Sequence, residues 1–247
     1  MSADDNAPVL PGKGDSDYER YLRTEELLAL QTPAEDRVHR DELLFQTVHQ
    51  SSELWLKLAV AEVSEATVLI DAGELAEAAR LMRRAVTCVE FVTGQLDMLD
   101  QLDAWDYQLI RTALGHGSGF DSPGFREIAR VTPLLGAAFE RLLVREGATL
   151  EDAYRRRAEL PRLHELAELL TDWDERLRLW RVRHYTVVAR AIGEESIGIQ
   201  GVPVQALAKL ITQRQLPALW ESRSRLVDLF EAEHRGAADE SGSTARS

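Results

Sequence analysis

The chain contains one cysteine, Cys88, among its 247 residues. A lone cysteine excludes an intramolecular disulfide and any multi-cysteine metal or iron–sulfur site, and it fits a reducing, cytoplasmic compartment. Lysine is almost as scarce. Lys13, Lys57 and Lys209 stand among 29 basic residues, the rest being arginine, and 42 acidic residues outweigh them to give a net charge of −13. That balance speaks against a general phosphate-backbone binder, whose affinity rests on clustered positive charge, so nucleic acid is not an expected partner. No apolar run is long enough for a signal sequence or a membrane span. Nor does any window alternate apolar and polar residues with a period of two, and no strand is expected.

What remains is helix after helix. With 45% hydrophobic residues the composition suits a globular chain, and apolar positions recur at steps of three and four. Helices are predicted over 18–31, stopped at Thr32-Pro33; over 41–70; over 75–102, with a break near Gly94; from 126; from Thr132-Pro133, read as a new start; over 151–157; and over 163–192. Residues 1–17 are read as a mobile arm, 18–234 as a single all-helical domain, and 235–247, small and polar, as a disordered tail. Between 113 and 125 lie four glycines and a proline, marking a loop that lines a site or approaches something closely.

Two histidines fall on apolar helical faces. His184 sits in a stripe formed by Leu177, Trp180, Val188 and Ala191, and His49 follows Phe45 by one turn and precedes Ser52. A satisfied core histidine and a metal or haem ligand are both compatible with that setting, and nothing in the spacing proves that residues 135 positions apart meet.

The motifs decide further. Y-x-x-Y-L at 18–22, D-E-L-L-F-Q-T-V-H-Q-S-S-E-L-W-L-K at 41–57, S-G-F-D-S-P-G-F-R at 118–126, W-R-V-R-H at 180–184 and L-P-A-L-W-E-S-R at 216–223 occur in the order found in the tryptophan 2,3-dioxygenase family, which the chain resembles over most of its length. The resemblance implies an all-α helical bundle with a haem pocket, and a homotetrameric oxidoreductase that uses O2 to open the indole ring of L-tryptophan. It implies noncovalent haem b with His184 as proximal iron ligand, His49 as the distal histidine facing the indole nitrogen, and Phe45 packed on the substrate. Arg126 is matched to the arginine that grips the substrate carboxylate, and Tyr18 and Tyr21 to tyrosines lent to a neighbouring subunit's pocket. Trp55 and Trp180 are read as packing residues. The expected partner is thus a small indole amino acid.

The sequence departs from the family in its lid. Where the family reads G-T-G-G-S-S-G, residues 197–203 read I-G-I-Q-G-V-P, so Gly198 replaces the threonine near the substrate's charged end, and Asp121 replaces the glutamine after S-G-F. A weaker, looser lid is expected, with a modified tryptophan as substrate, in a biosynthetic pathway. A monooxygenase giving a hydroxylated or oxindole product is the close alternative, and a helical haem or gas-binding protein without turnover is the other.

Overall fold

A computed structural model describes residues 7–244, with side chains to residue 235. The described residues form ten α-helices: α1 (Asp17–Leu22), α2 (Thr24–Leu28), α3 (Glu42–Ala72), α4 (Leu75–Leu99), α5 (Ala104–Ala113), α6 (Pro123–Arg145), α7 (Leu150–Arg155), α8 (Pro161–Ile192), α9 (Gln205–Ile211) and α10 (Pro217–Thr244). Only an isolated bridge between Ile197 and Pro203 departs from helix, turn and coil. The protein is therefore all-α, as its periodicity dictates.

Long helices α3, α4, α6 and α8 carry the core. Their small and branched apolar residues interlock, among them Ala59, Val63, Ala85, Val89, Leu135 and Leu166, all fully buried. Gly124 allows the start of α6 to approach α3, since a Cβ there would lie 2.6 Å from Leu56 Cβ. Buried polar groups are paired, as burial demands. Trp173 Nε1 donates to Thr132 Oγ1 at 3.0 Å. Asp174, fully buried on α8, accepts from the Gln215 amide at 2.8 Å and Trp220 Nε1 at 2.7 Å, tying the start of α10 to the helix that carries His184.

Several local readings need correction. The predicted helix over 18–31 is split at Arg23, which takes a left-handed φ of 54°. Helix α4 continues through Gly94. Pro133 lies inside α6 rather than at a start. A proline there removes one i→i−4 hydrogen bond, but Ile128, Val131 and Leu135 anchor both sides of it in the core, and Thr132 Oγ1 donates to the Ile128 carbonyl at 2.8 Å. Helix α5, which the glycine-rich surroundings obscured, is capped by Asp103 through the Trp105 amide. Near both ends the described residues make hydrogen bonds and regular structure. Asp17 accepts from the amides of Val9 and Leu10, Arg20 donates to the carbonyls of Leu10 and Gly14, and α10 runs across 235 to Thr244. Residues 1–6 and 245–247 of the expected arm and tail lie outside the described residues. Among the described residues no helix is long and apolar enough to cross a membrane.

Candidate functional site

Helix α3 supplies Phe45, His49 and Glu53 at steps of four, one above another on one face. The rings of Phe45 and His49 lie 4.0 Å apart. His49 Nδ1 stands 2.7 Å from the Phe45 carbonyl oxygen; because a carbonyl only accepts, the proton resides on Nδ1, and Nε2 is left as an acceptor. Glu53 reaches the other way. It accepts from Ser122 Oγ and from the Gly124 amide at 2.9 Å, fastening α3 to the S-P-G turn that opens α6.

Helix α8 presents His184 opposite. Its imidazole stacks on Trp180, with centroids 4.8 Å apart and planes 9° apart, and Trp180 in turn packs on Phe125 at 3.9 Å. The arginines of W-R-V-R-H anchor the helix. Arg183 bridges Asp97 at 2.8 Å and Asp100, at the end of α4. Arg181 donates to the carbonyls of Leu210, in the last turn of α9, and Gln213, just beyond it, at 3.2 and 2.7 Å. His184 is thereby set on a helix fixed at both sides.

Burial, with a smaller contribution from the positive form of neighbouring His49, pushes the His184 imidazole down to about 4. His49 is also lowered, chiefly by burial, against the opposing influence of the Phe45 carbonyl and the Glu53 charge. That His49 acts electrostatically on His184 brings together the two histidines whose meeting the spacing left open. Both are closely surrounded by protein yet keep accessible surface. Gly119, from the 113–125 loop, lies against His184; a Cβ there would be 3.8 Å from Nε2.

The depressed value has a pH consequence. The unfolded chain accepts a proton on His184 near its ordinary value of 6.5, whereas the folded chain resists until about 4. Stability is thus unaffected by this group above 6.5 and declines as the pH falls from 6.5 towards 4. Denaturant titrations of the unliganded protein across this window are expected to show a steeper acid-side loss for the wild type than for His184→Phe. Parallel curves would show that the ring is not held neutral by its surroundings.

Two arginines stand near this region. Arg126 is exposed in the first turn of α6 and has no hydrogen-bond partner among the described residues; its neighbour Phe125 is the side chain that turns inward. Arg111 instead stands by the cleft. It lies one turn after Tyr107 on α5, the Tyr107 ring is 6.0 Å from Phe45, and the Arg111 charge counteracts the rise that burial imposes on the Tyr107 hydroxyl. Its NH2 donates to the Ile197 carbonyl at 2.7 Å, at the foot of the lid. Arg111 lies outside the family's motif blocks; the signal for it is Tyr107 and Arg111 at helical spacing just before S-G-F.

The remaining candidates are placed as follows. Gly198 lies in the lid, where its amide donates to the Val202 carbonyl at 2.8 Å and it offers no side chain to a ligand. Tyr18 and Tyr21 project from α1 with 69% and 78% of their surface exposed, so neither packs within its own subunit. Trp55 packs on Phe91 at 4.9 Å.

An all-helical protein thus carries His49 beside Phe45 on α3 and His184 stacked on Trp180 on α8. The tryptophan 2,3-dioxygenase family profile matches residues 4–141. Tryptophan 2,3-dioxygenases of Caulobacter vibrioides and of Bradyrhizobium sp. strain ORS 278 are each 31% identical, over 86% and 90% of this chain and 99% of those proteins. That of Pseudomonas fluorescens is 30% identical over 85% of this chain and 90% of its own. The chain belongs to the tryptophan 2,3-dioxygenase family.

Proposed function

We propose that the protein is a haem-dependent oxygenase acting on the indole ring of L-tryptophan or a close relative, and the observation that carries the proposal is the facing pair of His49 and His184. The residues present fit haem b. His184 offers a neutral Nε2 as axial ligand, Gly119 leaves the space beside it free of a side chain, and the buried indole N–H of Trp180 lacks a partner among the described residues and is suited to an acceptor on a bound group. Such a haem supplies the binding and activation of O2.

The protein's own residues hold the substrate. Phe45 packs on the indole, the free Nε2 of His49 accepts from the indole N–H, and Arg111, in place of Arg126, forms a fork on the carboxylate. Fixing the ring in this way restricts where oxidation occurs. Exposed Tyr18 and Tyr21 favour a homotetramer in which α1 borders a neighbouring subunit's cleft, and lone, buried Cys88 suits the cytoplasm. The test is to incubate reduced, haem-loaded protein with O2 and tryptophan and to weigh the product. Addition of two oxygen atoms identifies a dioxygenase and addition of one a monooxygenase; full haem loading without product defeats the enzymatic reading.

A further inference from the structure

Glu53 stands one turn beyond His49 on α3 and reaches out of its own helix. One carboxylate oxygen accepts from Ser122 Oγ and the other from the Gly124 amide at 2.9 Å, while the same Ser122 Oγ accepts from the Phe125 amide at 3.2 Å. Both partners are neutral. The charge is met instead by the N-terminal end of the 23-residue α6, where free amides and the helix dipole favour an anion. The approach is close. At Gly124 a Cβ would lie 2.6 Å from Leu56 Cβ and 2.8 Å from a Glu53 carboxylate oxygen, so any side chain there would force the two helices apart.

The turn that Glu53 holds also touches the opposite wall, at two points. At one end Gly119, whose carbonyl accepts from the Ser122 amide at 3.3 Å, lies beside His184, where a Cβ would stand 3.8 Å from Nε2. At the other end the Phe125 ring packs on Trp180 with centroids 3.9 Å apart, and Trp180 stacks on His184 at 4.8 Å. Helix α3 packs chiefly on α4 and α6, whereas α8 packs chiefly on α4. Residues 119–125 are therefore a short path from one histidine's helix to the other's, and Glu53 is an α3 side chain hydrogen-bonded to it.

We infer that Glu53 is a positioning residue which, by clamping the 119–125 turn to α3, sets the spacing between His49 and His184. The inference rests on the function proposed above. A flat group held by one imidazole and faced by the other leaves little tolerance in that spacing, because the distal ring orients the substrate only when it stands at the right height. A carboxylate suits the clamp: its two oxygens serve two donors at once, and hydrogen bonds to an ionised acceptor are shorter and stronger than neutral ones. Burial lowers the His49 imidazole and the Glu53 charge opposes that lowering, so an effect of the bond has to be told apart from an effect of the charge.

Haem-loaded variants are compared by steady-state kinetics and by the stretching frequency of carbon monoxide on the reduced iron, which senses the distal ring. Glu53→Ala is expected to keep its Soret band, to move the frequency towards that of His49→Ala, and to lower kcat by up to about 100-fold, the cost of a misplacement of about 1 Å. Glu53→Gln loses the charge but keeps an acceptor for the Gly124 amide and a donor for Ser122 Oγ, and should stay near the wild type in both measurements. Gly124→Ala keeps the charge but parts the helices, and should reproduce the changes of Glu53→Ala. A wild-type frequency and kcat in Glu53→Ala, with only the lowered melting temperature that a core lesion such as Thr132→Val produces, would mark a purely structural clasp and overturn the assignment. So would a Glu53→Gln variant that matches Glu53→Ala beside a normal Gly124→Ala, since that pattern belongs to the charge. Should Glu53→Ala not fold, Ser122→Ala, which leaves the Gly124 bond in place, must show the same shifts in smaller measure, and unchanged values there defeat the inference. A wild type that takes up no haem overturns the proposed function itself, and this inference with it.

Discussion

His184→Ala is expected to give a folded, helical protein that takes up no haem. The ring makes no hydrogen bond to another side chain that its loss would orphan, and its main contact is the Trp180 stack. Removing a partly buried ring of this kind costs roughly 1–3 kcal/mol, a fraction of the stability of a domain. The neighbouring anchors, Arg181 on the carbonyls at the end of α9 and Arg183 on Asp97, stay in place and hold α8. What disappears is the imidazole that α8 sets against Trp180. Far-ultraviolet circular dichroism should therefore be unchanged, while the Soret band of protein reconstituted with haem is lost. His49→Ala, on the opposite wall, should retain the band and lose turnover, because its Nε2 is held to orient the substrate rather than the iron. A normal Soret spectrum in His184→Ala would remove the proximal assignment.

Arg111→Ala is expected to raise the KM for tryptophan by about 10- to 100-fold, the range that corresponds to losing a charge-assisted hydrogen bond worth about 1.5–3 kcal/mol. Arg111→Lys should recover part of the loss, since a point charge remains but the planar fork does not. Arg126→Ala, on the exposed turn of α6, should stay within about twofold of the wild type, as surface substitutions commonly do. Steady-state kinetics on the three variants separate the two arginines directly. The reverse ranking would return the carboxylate to Arg126 and leave Arg111 as a lid tether through Ile197. Since the Arg111 bond to the Ile197 carbonyl must be shared or exchanged when the carboxylate arrives, kcat in Arg111→Ala also reports how far the lid depends on that tether.

The elements that could be read from sequence are those whose signal is long or repeated. Helices α3 and α8 extend over many turns with unbroken apolar stripes, so their faces, and with them Phe45, His49 and His184, were fixed by periodicity and motif together. Helix α5 was missed because ten residues give barely three turns of pattern, and its ending in a glycine-rich loop masked it. The Arg126 assignment rests on position in a motif; its neighbour Phe125 packs on Trp180, and the kinetics of the arginine variants decide between Arg126 and Arg111. Pro133 was misjudged because local propensity argued for a break that packing on both sides of the proline overrides. The lid is harder to read for a different reason. Counting lost hydroxyls registers what a substitution removes, whereas the compensating bond between Gln200 and Asp121 joins residues 79 positions apart and becomes visible only when the two loops are seen together.

The strap of residues 9–14 along α1 bears on how subunits would come together. Asp17 and Arg20 hold that segment against its own helix, and Ser16 caps the helix through the Glu19 amide. The unit that displays Tyr18 and Tyr21 is consequently shaped before any neighbour arrives, and the entropy of ordering it is lost during folding of the single chain rather than at the moment of contact. Association through α1 then resembles the docking of a stiff key more than the folding of a loose tail, so its rate is governed by encounter and orientation and rises in proportion to protein concentration.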